Sequence, residues 1–425
     1  MTILHPVPKA GCGCDGQDVA KKLITIDAAL ALIAEHAAAV DATEDVPLGQ
    51  ALGRVLAKPV SSRGMSPPFD NAAMDGFALA STALPGDGPW TLDVVTRVPA
   101  GQTSAVPLLG LQAARIFTGA KVPEGADAVV MQEDVERTGS TIRIDQRPKP
   151  GLNIRREGSE MGAGVTVLDQ GRRLDARAIA ACAAAGAGSV TVRRRLRVAL
   201  LVTGDEIRAA GAGRADAQIW DINTPMLSAA LTQPHLDLVA VEQGLDSRDG
   251  LFLQLAEMAA CADLVVTTGG ISVGEEDHVK PALLALGGDI HFSGVAIKPG
   301  KPVSFGHIRG AAWLGLPGNP LSAFVTWQIF GSALVARLTG EAGQAARRHV
   351  VTGVEISRKA GRCELRPATC TGFDGHGREV VTFDAETHSA HVCALPDRDG
   401  LIFLPADCDV LPAGALVEFQ PFCRT

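Results

Sequence analysis

At 425 residues the chain is too long for one compact core, because single cores stop growing at roughly 250 to 300 residues and longer chains divide. Hydrophobic content of 46% beside 20% charged residues is ordinary for a globular protein, no apolar run is long enough to predict a bilayer crossing, and a net charge of −8 disfavours broad nucleic-acid binding. An anionic ligand must therefore be captured locally, by a few lysines, arginines and backbone N–H groups on an acidic background.

Residues 1–20 carry Gly, Pro and polar side chains without periodicity and read as a flexible tail. The tail lacks the basic end, apolar stretch and small-residue cleavage site of a secretory signal, so a cytoplasmic location is expected. Nine scattered cysteines, an odd count, read as reduced thiols. Cys12 and Cys14 form a Cys-x-Cys pair, which without a second pair completes no zinc site. IDAALALIAEHAAAV at 26–40, with an early Asp and an Ala-rich apolar face, predicts a short helix, with His36 on its surface.

Short β-type runs cut by Gly and Pro, such as WTLDVVTRV and TIRIDQ, predict a small β domain over 48–150. Residues 151–194 hold a helix-like DARAIAACAAAGA and a strand-like SVTVRR, and are expected to join residues 21–47 in one discontinuous linker domain. Over 195–340, LRVALLVTG, DLVVTTGG and AAWLGLPGN are apolar strands ending in glycine turns, separated by the helical TPMLSAALT and GLFLQLAEMAACA. That alternation predicts an α/β domain of three layers, a mostly parallel sheet with helices on both faces, whose ligands bind beyond the carboxyl ends of the strands. HVVTGVEI, EVVTF, GLIFLP and ALVEFQ predict a barrel-like β domain over 345–425. The expected fold is therefore multidomain, α/β plus β.

Candidate chemistry collects at the turns. In GGISVGEEDHVK, Gly269, Gly270 and Gly274 allow close backbone approach to a ligand, Ser272 adds a hydroxyl, and Glu275, Glu276 and Asp277 add carboxylates. An ordinary tight turn would look much the same. VTGDE places Thr203, Asp205 and Glu206 at a neighbouring strand end, where carboxylates can hold Mg²⁺ or simply cap a helix. In IKPGKP, prolines and a glycine frame Lys298 and Lys301, which presets two ammonium groups for a dianion. Asn319 and Pro320 open a long apolar helix. PPFDNAAMDGFAL at 67–79 is unusual, since a core strand seldom spends Asp70 and Asp75 within six positions; a polar turn accounts for one of them. Thr118 and Gly119 follow a strand, and Glu133 and Asp134 end the next one.

Taken in order, PPFDNAAMDGFAL, IFTGAKVPEGADAVVMQED, GLNIRREGSE, VTGDE, TTGGISVGEEDHVK, IKPGKP and GLPGNP resemble the molybdopterin molybdenumtransferase family, which includes bacterial MoeA and the E domain of gephyrin. The resemblance runs from about residue 26 onward. It implies an enzyme that inserts molybdate into adenylylated molybdopterin and releases AMP with Mg²⁺, working as a homodimer of elongated four-domain subunits. It also implies a molybdopterin adenylyltransferase and molybdoenzyme acceptors as partners, and no nucleic acid or membrane.

By position, the resemblance makes Asp75, Thr118, Glu206 and Asp277 catalytic, and makes Asp277, Glu206 and Glu160 metal ligands. Gly269, Gly270, Ser272, Gly274, Lys298, Lys301, Pro302, Asn319, Arg362 and Ser389 become substrate contacts, with the lysine-proline loop meeting molybdate. Because Asp75 lies far in sequence from the glycine turns, it can share a site with Glu206 and Asp277 only across an interdomain or intersubunit cleft. The chain departs from the family pattern at Ala72, Phe77, Ile222 and His278, has Glu160 for a common Asp, and reads Arg248 then Asp249 where two acids are usual. Arg248 is expected either to reshape ligand affinity or to face solvent. Two other readings accompany the insertase: a molybdopterin adenylyltransferase, which resembles only residues 195–340, and a carrier or scaffold that binds the cofactor without catalysis.

Overall fold

The computed structural model describes residues 23–245, 247–271, 278–343, 347–384 and 388–422. Its central sheet runs in the order Leu236–Gln243, Leu196–Val202, Leu264–Thr268, Ala311–Leu316, Ser304–Ile308, Asp289–Ser293. The first four strands are mutually parallel, as the strand–turn–helix alternation predicts; the last two add antiparallel. A two-residue connection explains the reversal. Arg309 and Gly310 sit at φ 48° and 89°, and positive φ at both positions is what a tight hairpin turn between Ser304–Ile308 and Ala311–Leu316 requires.

Both faces of this sheet are buried, hence the nearly continuous apolar runs. Leu196, Val198, Leu200 and Val202 share a cluster with Leu227 and Leu231 of helix Asn223–Leu231. Ala199 and Leu201 face the other way, onto Leu251, Leu255 and Met258 of helix Arg248–Cys261 and Leu283 of helix Val279–Ala285.

The first cluster also holds a continuous helical segment, Pro320–Thr339, of 20 residues, whose most apolar 18-residue window has mean hydropathy 1.3. Its length and composition would suffice to cross a bilayer, contrary to the sequence reading; 67% of its most apolar window is buried within the protein, which accounts for its character.

Helix Ile26–His36 packs differently from expectation. Thr25 Oγ1 caps it by accepting from the Ala28 N–H at 3.1 Å, and Ile26, Ala29 and Ile33 are buried with Leu334, Val335 and Leu338 of the long helix. It therefore belongs to the core of the central sheet, not to that of the linker unit. The linker unit is still built from two pieces of chain. Thr43–Pro47 pairs antiparallel with Ser189–Arg193, Val60–Ser61 pairs with Thr166–Leu168, and Val46, Ala51, Leu56 and Val60 bury against Leu174, Ala178, Cys182, Val190 and Val192. Its first piece thus extends to Ser61, past the boundary at 47 that composition suggests, because these strands find partners more than 100 positions away.

Between the two pieces lies a curled sheet ordered Ala128–Met131, Gly76–Leu79, Gln112–Ile116, Trp90–Val98, Thr141–Ile144, Glu136–Thr138. At the other end of the chain, Cys363–Phe373, Glu379–Phe383, Arg348–Thr352, Leu416–Pro421 and Gly400–Leu404 form a ring, because Gly400–Leu404 pairs back onto Cys363–Phe373. This closed five-strand barrel leaves no edge in the ring. Ile297–Lys298 joins Cys363–Phe373 in parallel from outside and ties the barrel to the central unit.

Candidate functional site

The carboxyl ends of the parallel strands open into a cavity of about 1110 Å³. Thr203, Gly204, Asp205 and Glu206 line it after Leu196–Val202, Gly269 and Gly270 after Leu264–Thr268, and Pro317, Gly318, Asn319 and Pro320 after Ala311–Leu316. The first glycine of the second turn is compulsory: Gly269 has φ +86°, and a Cβ there would lie 2.5 Å from Thr203 Oγ1 and 2.7 Å from the Thr203 carbonyl oxygen.

A buried amide locks these turns together. Asn223, 5% exposed, donates from Nδ2 to Thr268 Oγ1 at 3.1 Å and to the Gly318 carbonyl at 2.7 Å, while the Thr268 hydroxyl donates to the Pro317 carbonyl at 2.9 Å. Asp221 starts the helix that carries Asn223 by accepting from the Thr224 N–H at 2.9 Å. Asn223 is not among the residues expected from sequence; an Asp two residues before an Asn at a helix start is the signal that the sequence offers for it.

Glu206, Gly269, Gly270, Pro302 and Asn319 are thus brought together, and Ser389 stands beside them, its carbonyl accepting from the Leu321 N–H at 3.0 Å next to the cavity-lining Ala390. Ser272, Gly274 and Asp277 lie outside the described residues, as do Cys12 and Cys14. Lys298, Lys301 and Arg362 do not line the cavity. Lys298 Nζ is 3.8 Å from Glu364, and Arg362 donates to the Ile297 carbonyl at 3.3 Å, so both lie along the strand pair that joins barrel to sheet. Lys301 is exposed.

Asp75 and Thr118 form a second pair, away from the cavity lining of the same chain. Asp75 Oδ1 accepts from both the backbone N–H and the hydroxyl of Thr118, each at 2.8 Å, and these bonds hold its carboxyl below the usual range. Asp70 has a structural role instead. It accepts from the Glu157 N–H at 2.8 Å and from Arg156 at 2.6 Å, stapling its segment to residues 154–157.

Glu160 is exposed, accepts from the Ser66 hydroxyl at 2.9 Å, and does not line the cavity. Its position is fixed by the backbone pairing of Glu160 and Met161 with Ser66. Among the described residues no three His, Cys, Asp or Glu side chains converge on one point. Arg248 and Asp249 are exposed at the start of helix Arg248–Cys261, behind the Ser247 cap, and neither lines the cavity, so Arg248 faces solvent. His278 and Ile222 do line it, whereas Phe77 is buried in the curled sheet and Ala72, on the strand Asn71–Ala72 paired with Ile154–Arg155, is buried against it. The six cysteines among the described residues are all free thiols.

The fold defines a multidomain protein whose central α/β unit presents a glycine-lined cavity at its strand ends. Residues 24–186 match the model described as "MoeA N-terminal region (domain I and II)", and residues 199–337 match "Probable molybdopterin binding domain". A molybdopterin molybdenumtransferase of Haemophilus influenzae is 36% identical, covering 94% of this chain and 99% of its own length. Molybdopterin molybdenumtransferase 2 of Mycobacterium tuberculosis is 32% identical over 88% of this chain and 93% of its own. The solved structure of the molybdopterin biosynthesis MoeA protein of Pyrococcus horikoshii superposes with a TM-score of 0.78 at 26% identity, covering 94% of this chain and 100% of that one. The chain belongs to the molybdopterin molybdenumtransferase family.

Proposed function

We propose that this chain is an enzyme of molybdenum cofactor biosynthesis that inserts molybdate into adenylylated molybdopterin and releases AMP. The observation that carries this reading is the strand-end cavity, with glycine turns and paired acids, in a chain that keeps the Asp75–Thr118 unit as well. An adenylyltransferase would need only the central unit, which we read as three layers with helices on both faces.

Glu206 and Asp205 are hard oxygen donors side by side on the cavity wall, and Mg²⁺ commonly binds through one or two carboxylates plus phosphate and water. They fit such an ion. When bound, Mg²⁺ would supply charge neutralisation at the phosphoanhydride. The chain's own groups do the rest. The turns at Gly269 and Gly318 present backbone to phosphate without side-chain obstruction, and Asn223 keeps those turns in register. Lys298 and Lys301 stand outside the cavity lining, on the loop that reaches it at Pro302, and there would offset the charge of a molybdate dianion at the rim. Asp75 and Thr118 are absent from the cavity of their own chain, so in this reading they serve the site of a second copy in a homodimer.

The test supplies adenylylated molybdopterin, Mg²⁺ and molybdate and measures AMP. Release that requires molybdate is expected. ATP-dependent adenylylation of the pterin would identify an adenylyltransferase instead, and binding without turnover a carrier.

A further inference from the structure

Part of the cavity wall is both apolar and open to water. Ile219, Trp220, Ile222 and Leu245 line it while 53%, 55%, 38% and 56% exposed. Large apolar side chains gathered on a cavity wall and left to water mark where an apolar part of a ligand belongs. Among the four tryptophans Trp220 stands apart, since Trp90, Trp313 and Trp327 are only 5%, 0% and 5% exposed.

Trp220 is also held in place. Ile207–Arg208 and Ile219–Trp220 pair in parallel, with the Ile219 N–H donating to the Glu206 carbonyl at 2.8 Å and the Asp221 N–H to the Arg208 carbonyl at 2.7 Å. The indole N–H reaches the Ala212 carbonyl at 3.5 Å, and the Arg214 guanidinium carbon lies 5.5 Å from the ring centroid. Arg214 lines the cavity too, and donates to the Gln218 carbonyl at 2.5 Å. A cation over one face of an indole steadies the ring and leaves the other face for a partner. Through the Ile219–Glu206 hydrogen bond, the indole and the cavity's carboxylates are parts of one short frame.

We propose that Trp220, steadied by Arg214, is a stacking platform for a flat heteroaromatic ring of the ligand, adenine or pterin. This inference rests on the cavity being the substrate site. Stacking on an aromatic face tolerates either ring, because each offers a π surface, and it fixes where the ring lies relative to the phosphate-binding turns.

The full chain is titrated with AMP, with neopterin and with ribose 5-phosphate, by calorimetry and by acrylamide quenching of tryptophan fluorescence. Because the other three tryptophans are buried, quenching reports on Trp220. AMP or neopterin is expected to bind and shield the indole, ribose 5-phosphate to leave it accessible, and whichever of the first two shields it identifies the ring. Trp220→Ala is expected to weaken that ligand about ten-fold, the scale of one ring stacked on an aromatic side chain, and Trp220→Phe to keep most of the affinity. Unchanged affinity in Trp220→Ala, or unchanged quenching at saturating ligand, overturns the platform alone. If neither AMP nor neopterin binds the wild-type chain, the substrate reading of the cavity falls and the platform with it.

Discussion

Asp75 owes its low pKa chiefly to one neighbour, the Thr118 backbone N–H first and then the Thr118 hydroxyl, with a smaller pull from the charge of Arg115. Removing only the hydroxyl leaves the backbone donor in place, so the carboxyl should move part of the way back toward its ordinary range. Under the proposed function, Thr118→Val is expected to lower molybdate-dependent AMP release about ten-fold and move the acid limb of the rate profile to higher pH, with Thr118→Ser close to wild type. Thr118→Val with an unmoved acid limb would show that Asp75 does not titrate in the reaction. The pairing was not legible from sequence. Asp75 and Thr118 looked like separate turn residues, and only the antiparallel pairing of Gly76–Leu79 with Gln112–Ile116 brings them side by side.

Elements were more legible than their partners. Strands 196–202, 264–268 and 311–316 announced themselves because burial on both faces demands unbroken apolar runs, and the glycine turns that floor the cavity followed from them. Helix Ile26–His36 was equally clear as a helix, yet an Ala-rich face fits many grooves and nothing local says which. The seam between the linker and central units was invisible for the same reason. There Gly53, at φ +73°, comes so close to Pro234 that a Cβ would lie 2.7 Å from its ring, and the neighbouring His235 is 5% exposed. Burial, then the nearby charges of Arg173 and Arg54, pushes His235 down to about 4 from the ordinary 6.5, against a hydrogen bond to Gly53 that pulls it up. Arg54 is paired with Glu44 and Arg173 with Glu341, which softens their effect without cancelling it.

The sign follows from proton counting. Between pH 6.5 and about 4 the unfolded chain binds a proton at His235 that the folded chain refuses, so its stabilisation is whole above 6.5 and is lost as pH falls, on the order of 3 kcal/mol in all. His291 and His307 are also shifted downward, chiefly by burial, and add to the loss in the same direction. Urea unfolding at pH 7.5 and 5.0 should therefore show a smaller drop for His235→Gln than for wild type. Equal drops would remove His235 as the responsible group.

At the scale of the whole molecule, the cavity with Glu206 and the pair Asp75–Thr118 belong to separate units of one chain, and the pair does not line the cavity. Under the proposed function, a second chain supplies the half that each cavity lacks. The proposed homodimer then makes a prediction that a single-chain site cannot meet. Asp75→Asn disables the contribution a chain sends to its partner, and Glu206→Gln disables the cavity it keeps; each variant alone should be inactive. When the two are mixed and allowed to exchange, a mixed dimer has one site carrying both defects and one carrying neither. Half of the dimers are mixed at equal amounts, and half of their sites are intact, so about a quarter of wild-type AMP release should return. If the mixture stays inactive while size-exclusion chromatography shows that subunits have exchanged, Asp75 acts within its own chain and the units must move to meet.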